Sequence, residues 1–123
     1  MRIGALAEAT GVSRRLLRYY EEQGLLRPRR LPNGYREYAA TDVSAVRRIR
    51  VLLAAGLPTA VIAQLLDCVH DEGAAIVPSS CPGMVGRLRD ERRRRATEIA
   101  RLQASQRALD TLLTAALAPA PGD

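Results

Sequence analysis

The sequence predicts a mostly α-helical protein: a winged helix-turn-helix domain over residues 1–66, a linker loop over 67–82, a long dimerisation helix over 83–117 and a frayed tail over 118–123. Three observations lead there. Residues 13–38 set an arginine-studded helix directly before an Asn-Gly turn flanked by tyrosine and arginine. All four tyrosines (Tyr19, Tyr20, Tyr35 and Tyr38) fall in that stretch. From about Gly83 an apolar stripe recurs at alternating spacings of three and four, the pattern of a coiled-coil seam.

Each element has its own signal. Ile3, Leu6 and Ala7 stand at helical spacing. Gly11 breaks that run, and Ser13 can cap a second helix. Leu16, Leu17 and Tyr20 face one side of the second helix, and Arg14, Arg15 and Arg18 face the other. Gly24 is a helix stop. Two short helices joined by a tight glycine-containing turn make a helix-turn-helix. Leu25 and Leu26 lead into Arg27-Pro28-Arg29-Arg30. Asn33-Gly34 is a hairpin signal because both residues tolerate positive φ, so short strands on either side form a wing. Thr41 or Asp42 caps a third helix with Val43, Val46, Ile49, Leu52 and Leu53 on its apolar face. Gly56 ends it, and Pro58 takes the first position of a fourth helix buried through Ile62, Leu65 and Leu66. Residues 67–82 show no helical period and read as a loop.

The seam of the last helix is Val85, Leu88, Arg92, Arg95, Ile99, Leu102, Gln106, Leu109, Leu113 and Ala116; seven of the ten are apolar. A helix of about 33 residues extends about 50 Å. That is too long to bury its seam on a small domain, so it is expected to pair with a second copy through Val85, Leu88, Ile99, Leu102, Leu109 and Leu113. In an antiparallel coiled coil, Arg92 and Arg95 would meet Glu91 or Glu98 of the partner.

Charge narrows the function. The formal net charge is +6 and all 19 basic residues are arginine, the side chain suited to bidentate contacts with phosphate and guanine. Residues 1–66 carry +6, residues 67–82 carry −3 and residues 83–123 carry +3. The first segment therefore has the electrostatic footprint of a polyanion binder. No apolar run spans a membrane and no signal-peptide pattern follows Met1, so a cytoplasmic, nucleoid-associated protein is expected. There is no phosphate-binding glycine loop, no nucleophile elbow and one histidine, which argues against an enzyme.

With the elements placed, the chain resembles the MerR family of transcription regulators. The match is carried by Ile3-Gly4-Ala5-Leu6-Ala7, Gly11-Val12-Ser13, Arg18-Tyr19-Tyr20-Glu21, Gly24-Leu25-Leu26 and Asn33-Gly34-Tyr35-Arg36-x-Tyr38. The resemblance implies a homodimer with two winged heads on a near-palindromic promoter spacer. The spacer would be distorted so that RNA polymerase on the same promoter is controlled through DNA shape as well as base contacts. It implies no membrane partner. Alternatives are an effector-free architectural DNA-binding protein and, further off, a protein-interaction module.

Double-stranded DNA would then meet Ser13, Arg14, Arg15, Arg18 and Tyr19 on the second helix, with Tyr20 packed under the wing. On the wing it would meet Asn33, Gly34, Tyr35, Arg36 and Tyr38, alternation placing 36 and 38 on one face and 35 on the other. Arg29 and Arg30 add charge at the phosphate backbone. The linker is the candidate sensor. Cys68, His70 and Cys81, with Asp67, Asp71 and Glu72 nearby, could bind a metal ion through Cys68 and Cys81. The two cysteines could instead form a redox-switched disulfide, or be incidental. Metal-sensing relatives also place two cysteines after the dimerisation helix, where this sequence has Leu117-Ala118-Pro119.

Overall fold

The computed structural model describes residues 1–79 and 81–120. It divides into two compact units, residues 1–84 and 85–123. In the first, α1 (Ile3–Thr10) and α2 (Arg14–Glu22) are followed by β1 (Arg29–Arg30) and β2 (Arg36–Glu37), then α3 (Thr41–Ala54) and α4 (Thr59–Leu65). A 3₁₀ turn (Leu66–Cys68), β3 (Val69–Glu72) and β4 (Ala75–Pro78) complete it. The second unit is formed by α5 (Met84–Leu117). The long helix has the position and extent that its seam predicts. Of the expected tail, residues 121–123 lie outside the described residues.

Local chemistry explains the helix-turn-helix. Gly11 closes α1 in the left-handed region at φ 70°, and its N–H reaches the Ala7 carbonyl at 2.9 Å. Only glycine takes that conformation without a Cβ penalty. Ser13 then caps α2: its Oγ accepts from the Leu16 N–H at 3.2 Å. The core gathers Leu6 of α1, Leu17 and Tyr20 of α2, Val46, Ile49 and Leu52 of α3, and Ile62 and Leu65 of α4, joined by Leu25, Leu26 and Leu57. Leu16 departs from the expected face and is exposed, because Leu17 and Tyr20 alone complete the buried stripe of a nine-residue helix.

The wing forms where Asn33-Gly34 places it, with a different turn. Gly34 alone has positive φ, 85°, and no residue other than glycine does so among the described residues. The Gly34 N–H bonds to Leu31 O at 2.9 Å, and Leu31 N–H to Tyr35 O at 2.8 Å. This is the three-residue hairpin loop, a turn followed by a left-handed glycine. Asn33 instead accepts the Tyr35 N–H through Oδ1 at 3.1 Å. At the wing's base, Met1 and Tyr38 exchange backbone hydrogen bonds in both directions at 2.6 Å.

Three further expectations change. Neither Thr41 nor Asp42 is the residue before α3; Thr41 opens it, and Asp42 reaches back to the Ala39 N–H at 2.8 Å, as the acidic partner of a capping box does. Pro58 precedes α4 in extended conformation rather than opening it. Residues 69–78 form an antiparallel hairpin rather than a loop, with Val69 opposite Pro78 and Glu72 opposite Ala75. Its first strand buries only Val69, so it carries no alternation to read.

Ser13→Ala should cost about 1 kcal/mol of stability through loss of the cap. Urea unfolding followed by circular dichroism measures it, and an unchanged midpoint would show that the cap does not hold α2.

Candidate nucleic-acid interface

Helix α2 and the wing together frame a basic notch. Arg14, Arg15, Arg18 and Tyr19 all project from the exposed face of α2, with Tyr19 42% exposed. A cleft of about 390 Å³ beside that face is lined by Arg14 and Arg18 of α2, by Gly34, Tyr35, Arg36 and Tyr38 of the wing, and by Arg2, Ile3 and Gly4 at the start of α1. Four guanidinium groups thus border one concavity. Such a surface favours an anion with repeated charges over a single small acid.

Two contributors carry no clear mark in the sequence. Arg2 stacks its guanidinium 4.2 Å from the centroid of the Tyr35 ring, within cation–π range, which ties the start of α1 to the wing. Gly4 leaves room for Arg14: a Cβ there would lie 2.7 Å from Arg14 Nη2. Only the place of Gly4 within the Ile3–Ala7 motif hints at this.

Arg36 bridges the two walls of the notch. Its Nε donates to Glu21 Oε1 of α2 at 2.8 Å, and this contact raises its pKa, first through the hydrogen bond and then through charge. The pair sets the wing against α2, and Arg36 still lines the cleft. Arg29 and Arg30 lie exposed on β1. Ser13 and Asn33 use their side-chain oxygens on the helix cap and the wing turn.

The tyrosines divide two and two. Tyr19 and Tyr35 are exposed, while Tyr20 and Tyr38 are each 1% exposed. Tyr20 is in the core, as expected. Tyr38 corrects the expectation of a contact residue: β2 stops at Glu37, so the period of two does not extend to residue 38, which turns inward. The Tyr38 hydroxyl is buried without a hydrogen-bond partner among the described residues. Burial pushes the pKa of both hydroxyls up; Glu21 pushes Tyr38 further, and Arg50 draws Tyr20 back.

In the linker, the structure joins Cys68 and Cys81 as a disulfide. His70 Nδ1 lies 2.7 Å from Ser79 Oγ. Among the described residues no three His, Cys, Asp or Glu side chains gather as metal ligands. With both sulfurs bonded to each other, the donor set in this arrangement does not fit a metal ion.

On α5 the six expected seam residues are placed as follows. Val85, Ile99, Leu102, Leu109 and Leu113 are all more than half exposed, and Leu88 is half-buried. Glu91 pairs within its own helix, with Arg94 at 3.4 Å and Arg95 at 3.8 Å. No helix among the described residues is long and apolar enough to cross a membrane.

Tyr38→Phe should leave stability unchanged or higher, since it removes an unpartnered buried hydroxyl. Tyr38→Ala should cost about 4 kcal/mol through the cavity. Because the native pKa is raised, stability should be level below the ordinary tyrosine value of 10.0 and fall as pH rises through the higher native value. Tyr38→Phe should blunt that fall. Urea unfolding from pH 8 upward checks both, and a Tyr38→Phe variant markedly weaker than the parent would mean that the hydroxyl has a partner.

The comparisons with known proteins agree with this geometry. HmrR of Rhizobium leguminosarum bv. viciae, an HTH-type transcriptional regulator, is 41% identical over 75 residues, covering 61% of this chain and 58% of HmrR. The chain spans little more than half the length of the curated relatives it matches. A solved Listeria monocytogenes protein assigned to the MerR family of transcriptional regulators is 27% identical, with a TM-score of 0.52 over 91% of this chain and 80% of that one. HiNmlR, a MerR family regulator lacking the sensor domain and solved bound to promoter DNA, shares the fold at a TM-score of 0.51 and 21% identity, over 92% of this chain and 86% of that one. The model of the MerR HTH family regulatory proteins matches residues 1–68, more than half of the sequence, and the chain belongs to that family.

Proposed function

We propose that the chain is a DNA-binding transcriptional regulator acting as a homodimer on a near-palindromic promoter site. The observation that carries the DNA reading is the notch: four arginines on three elements around one cleft, next to an exposed recognition face. Helix α2 enters the major groove with Arg14, Arg15 and Arg18, and Arg2, Arg36 and Tyr35 take the flanking phosphates. The complex of HiNmlR with promoter DNA, a protein of the same fold, supports this assignment.

The exposed stripe of α5 supports dimerisation. Ile99, Leu102, Leu109 and Leu113 recur at coiled-coil spacing, each more than half exposed. A second copy, antiparallel, buries them and fixes the distance between two notches. Two heads at fixed spacing on one duplex face impose bend and twist on the DNA between them, which is how such a dimer controls RNA polymerase on the same promoter. The signal is read at residues 67–82 as thiol chemistry, which the paired cysteines favour over a metal ion.

Two measurements test this reading on a fragment the protein selects from a random-sequence DNA pool. Arg15→Ala with Arg18→Ala should weaken binding at least tenfold and lower the log–log salt slope by about 1 for each phosphate no longer neutralised. Unchanged affinity and slope would remove α2 from the interface. Leu102→Lys with Leu109→Lys should convert a dimer into a monomer in sedimentation and abolish binding to the two-half-site fragment. A parent protein that sediments as a monomer and still binds that fragment tightly would refute the dimer.

A further inference from the structure

The β3–β4 hairpin is fastened at its tip and at its base. At the tip, Arg47 of α3 donates through Nη2 to the carbonyl of Gly73 at 3.3 Å and to that of Ala74. At the base, Ser79 N–H bonds to Cys68 O at 2.7 Å, one step past the Val69–Pro78 pair, and the Cys68–Cys81 disulfide closes the ring. The chain then turns directly into the last helix: Met84 N–H reaches Cys81 O at 3.3 Å, and Met84 itself is buried.

The strength of these fastenings is unequal. Two strands of four residues are marginal alone, and the Arg47 contacts are exposed hydrogen bonds. The disulfide is the one covalent tie in the segment. Both its cysteines are half-buried rather than enclosed, so a small thiol reagent can approach. Their Cα atoms are 5.6 Å apart, the ordinary bridging distance.

We propose that Cys68 and Cys81 are a reversible dithiol–disulfide switch that reacts with low-molecular-weight disulfides and sets how firmly the segment between α4 and α5 is held. For its output the switch rests on the dimeric DNA-binding reading above; its chemistry does not. One cysteine loses its proton to water, and the thiolate attacks a sulfur of the small disulfide. A mixed disulfide forms and one small thiolate leaves. The second cysteine, as thiolate, attacks the protein sulfur of that mixed disulfide and expels the second small thiolate. Both leaving thiolates take up the released protons. Two protein thiols become one protein disulfide, and one small disulfide becomes two small thiols. In the reduced state the Ser79–Cys68 hydrogen bond, the ladder and the buried Val69 side chain hold the base without a covalent tie, so residues 69–78 open more often and the run into Met84 loosens.

The test uses the full chain in glutathione buffers graded from reduced to oxidised. Acid quenching, alkylation and intact mass count the free thiols. Hydrogen exchange is read at residues 69–78 and at α2, and transcript yield is read from a promoter carrying the selected site. The expected result is a midpoint within the buffer range and at least tenfold faster exchange at 69–78 on reduction, with α2 unchanged. Transcript yield should differ at least fivefold between the two forms. Cys68→Ser with Cys81→Ser should hold the reduced behaviour in every buffer. A pair that stays oxidised throughout, or equal exchange in the two forms, overturns the switch. So do equal transcript yields from two forms that both bind DNA. Loss of DNA binding in both forms would instead count against the DNA-binding reading and leave the thiol and exchange results to decide the switch.

Discussion

The burial of Tyr38 at the base of the wing is the constraint on which the interface depends. Strands of two residues have almost no stability of their own. What holds them upright is the residue that follows, a large aromatic side chain 1% exposed and tied by backbone hydrogen bonds to Met1. An aromatic ring buried in this way stabilises far more than a partly solvated ion pair such as Glu21–Arg36. The ring anchors the wing and the ion pair trims its angle to α2. Together they fix the width of the notch, and so the separation of the arginines that border it.

Those arginines are costly neighbours in the free protein. Arg2, Arg14, Arg18 and Arg36 share one cleft, and Glu21 is the acid bonded to one of them. The Tyr35 ring over Arg2 offsets part of the repulsion without removing charge. Gly4 lets Arg14 lie close to the backbone of α1, where a larger residue would push it outward. The fold therefore stores like charge at one place and leaves it for an anion to neutralise. Binding that follows such a design is strongly salt-dependent, and its affinity comes more from phosphates than from base edges.

Much of this is legible in the sequence, and the failures have physical causes. The helix-turn-helix can be read because Gly11, Ser13 and Gly24 act locally, each through one hydrogen bond or one backbone angle. The wing's place can be read from Asn33-Gly34, but its turn type cannot. A two-residue type I′ loop and a three-residue loop ending in a left-handed glycine use the same dipeptide, and Pro32 fits the second. Alternation puts Tyr38 on the outer face only when it is extended past the end of a two-residue strand. The 69–78 hairpin is invisible because it buries little more than Val69: a strand with charged residues outward on both faces has no hydrophobic period. Arg2 gives no local signal because its partner, Tyr35, is distant in sequence.

The position of the disulfide bears on how any signal could act. It closes a ring of residues 68–81 that lies after the notch is complete and before the seam of α5 begins, and it contributes no side chain to either. A change of state there cannot add or remove a phosphate contact. In the proposed dimer it would alter only the connection between a reading head and the helix that would set head-to-head spacing. For a dimer on one duplex, altered spacing changes the deformation imposed on the DNA between the half-sites, while contacts within each half-site persist. Regulation by this route separates affinity from output: both states hold the DNA, and they differ in the shape they hold it in. An Arg-lined notch anchored by Tyr38 suits the proposed arrangement, since no residue of the linker lines it.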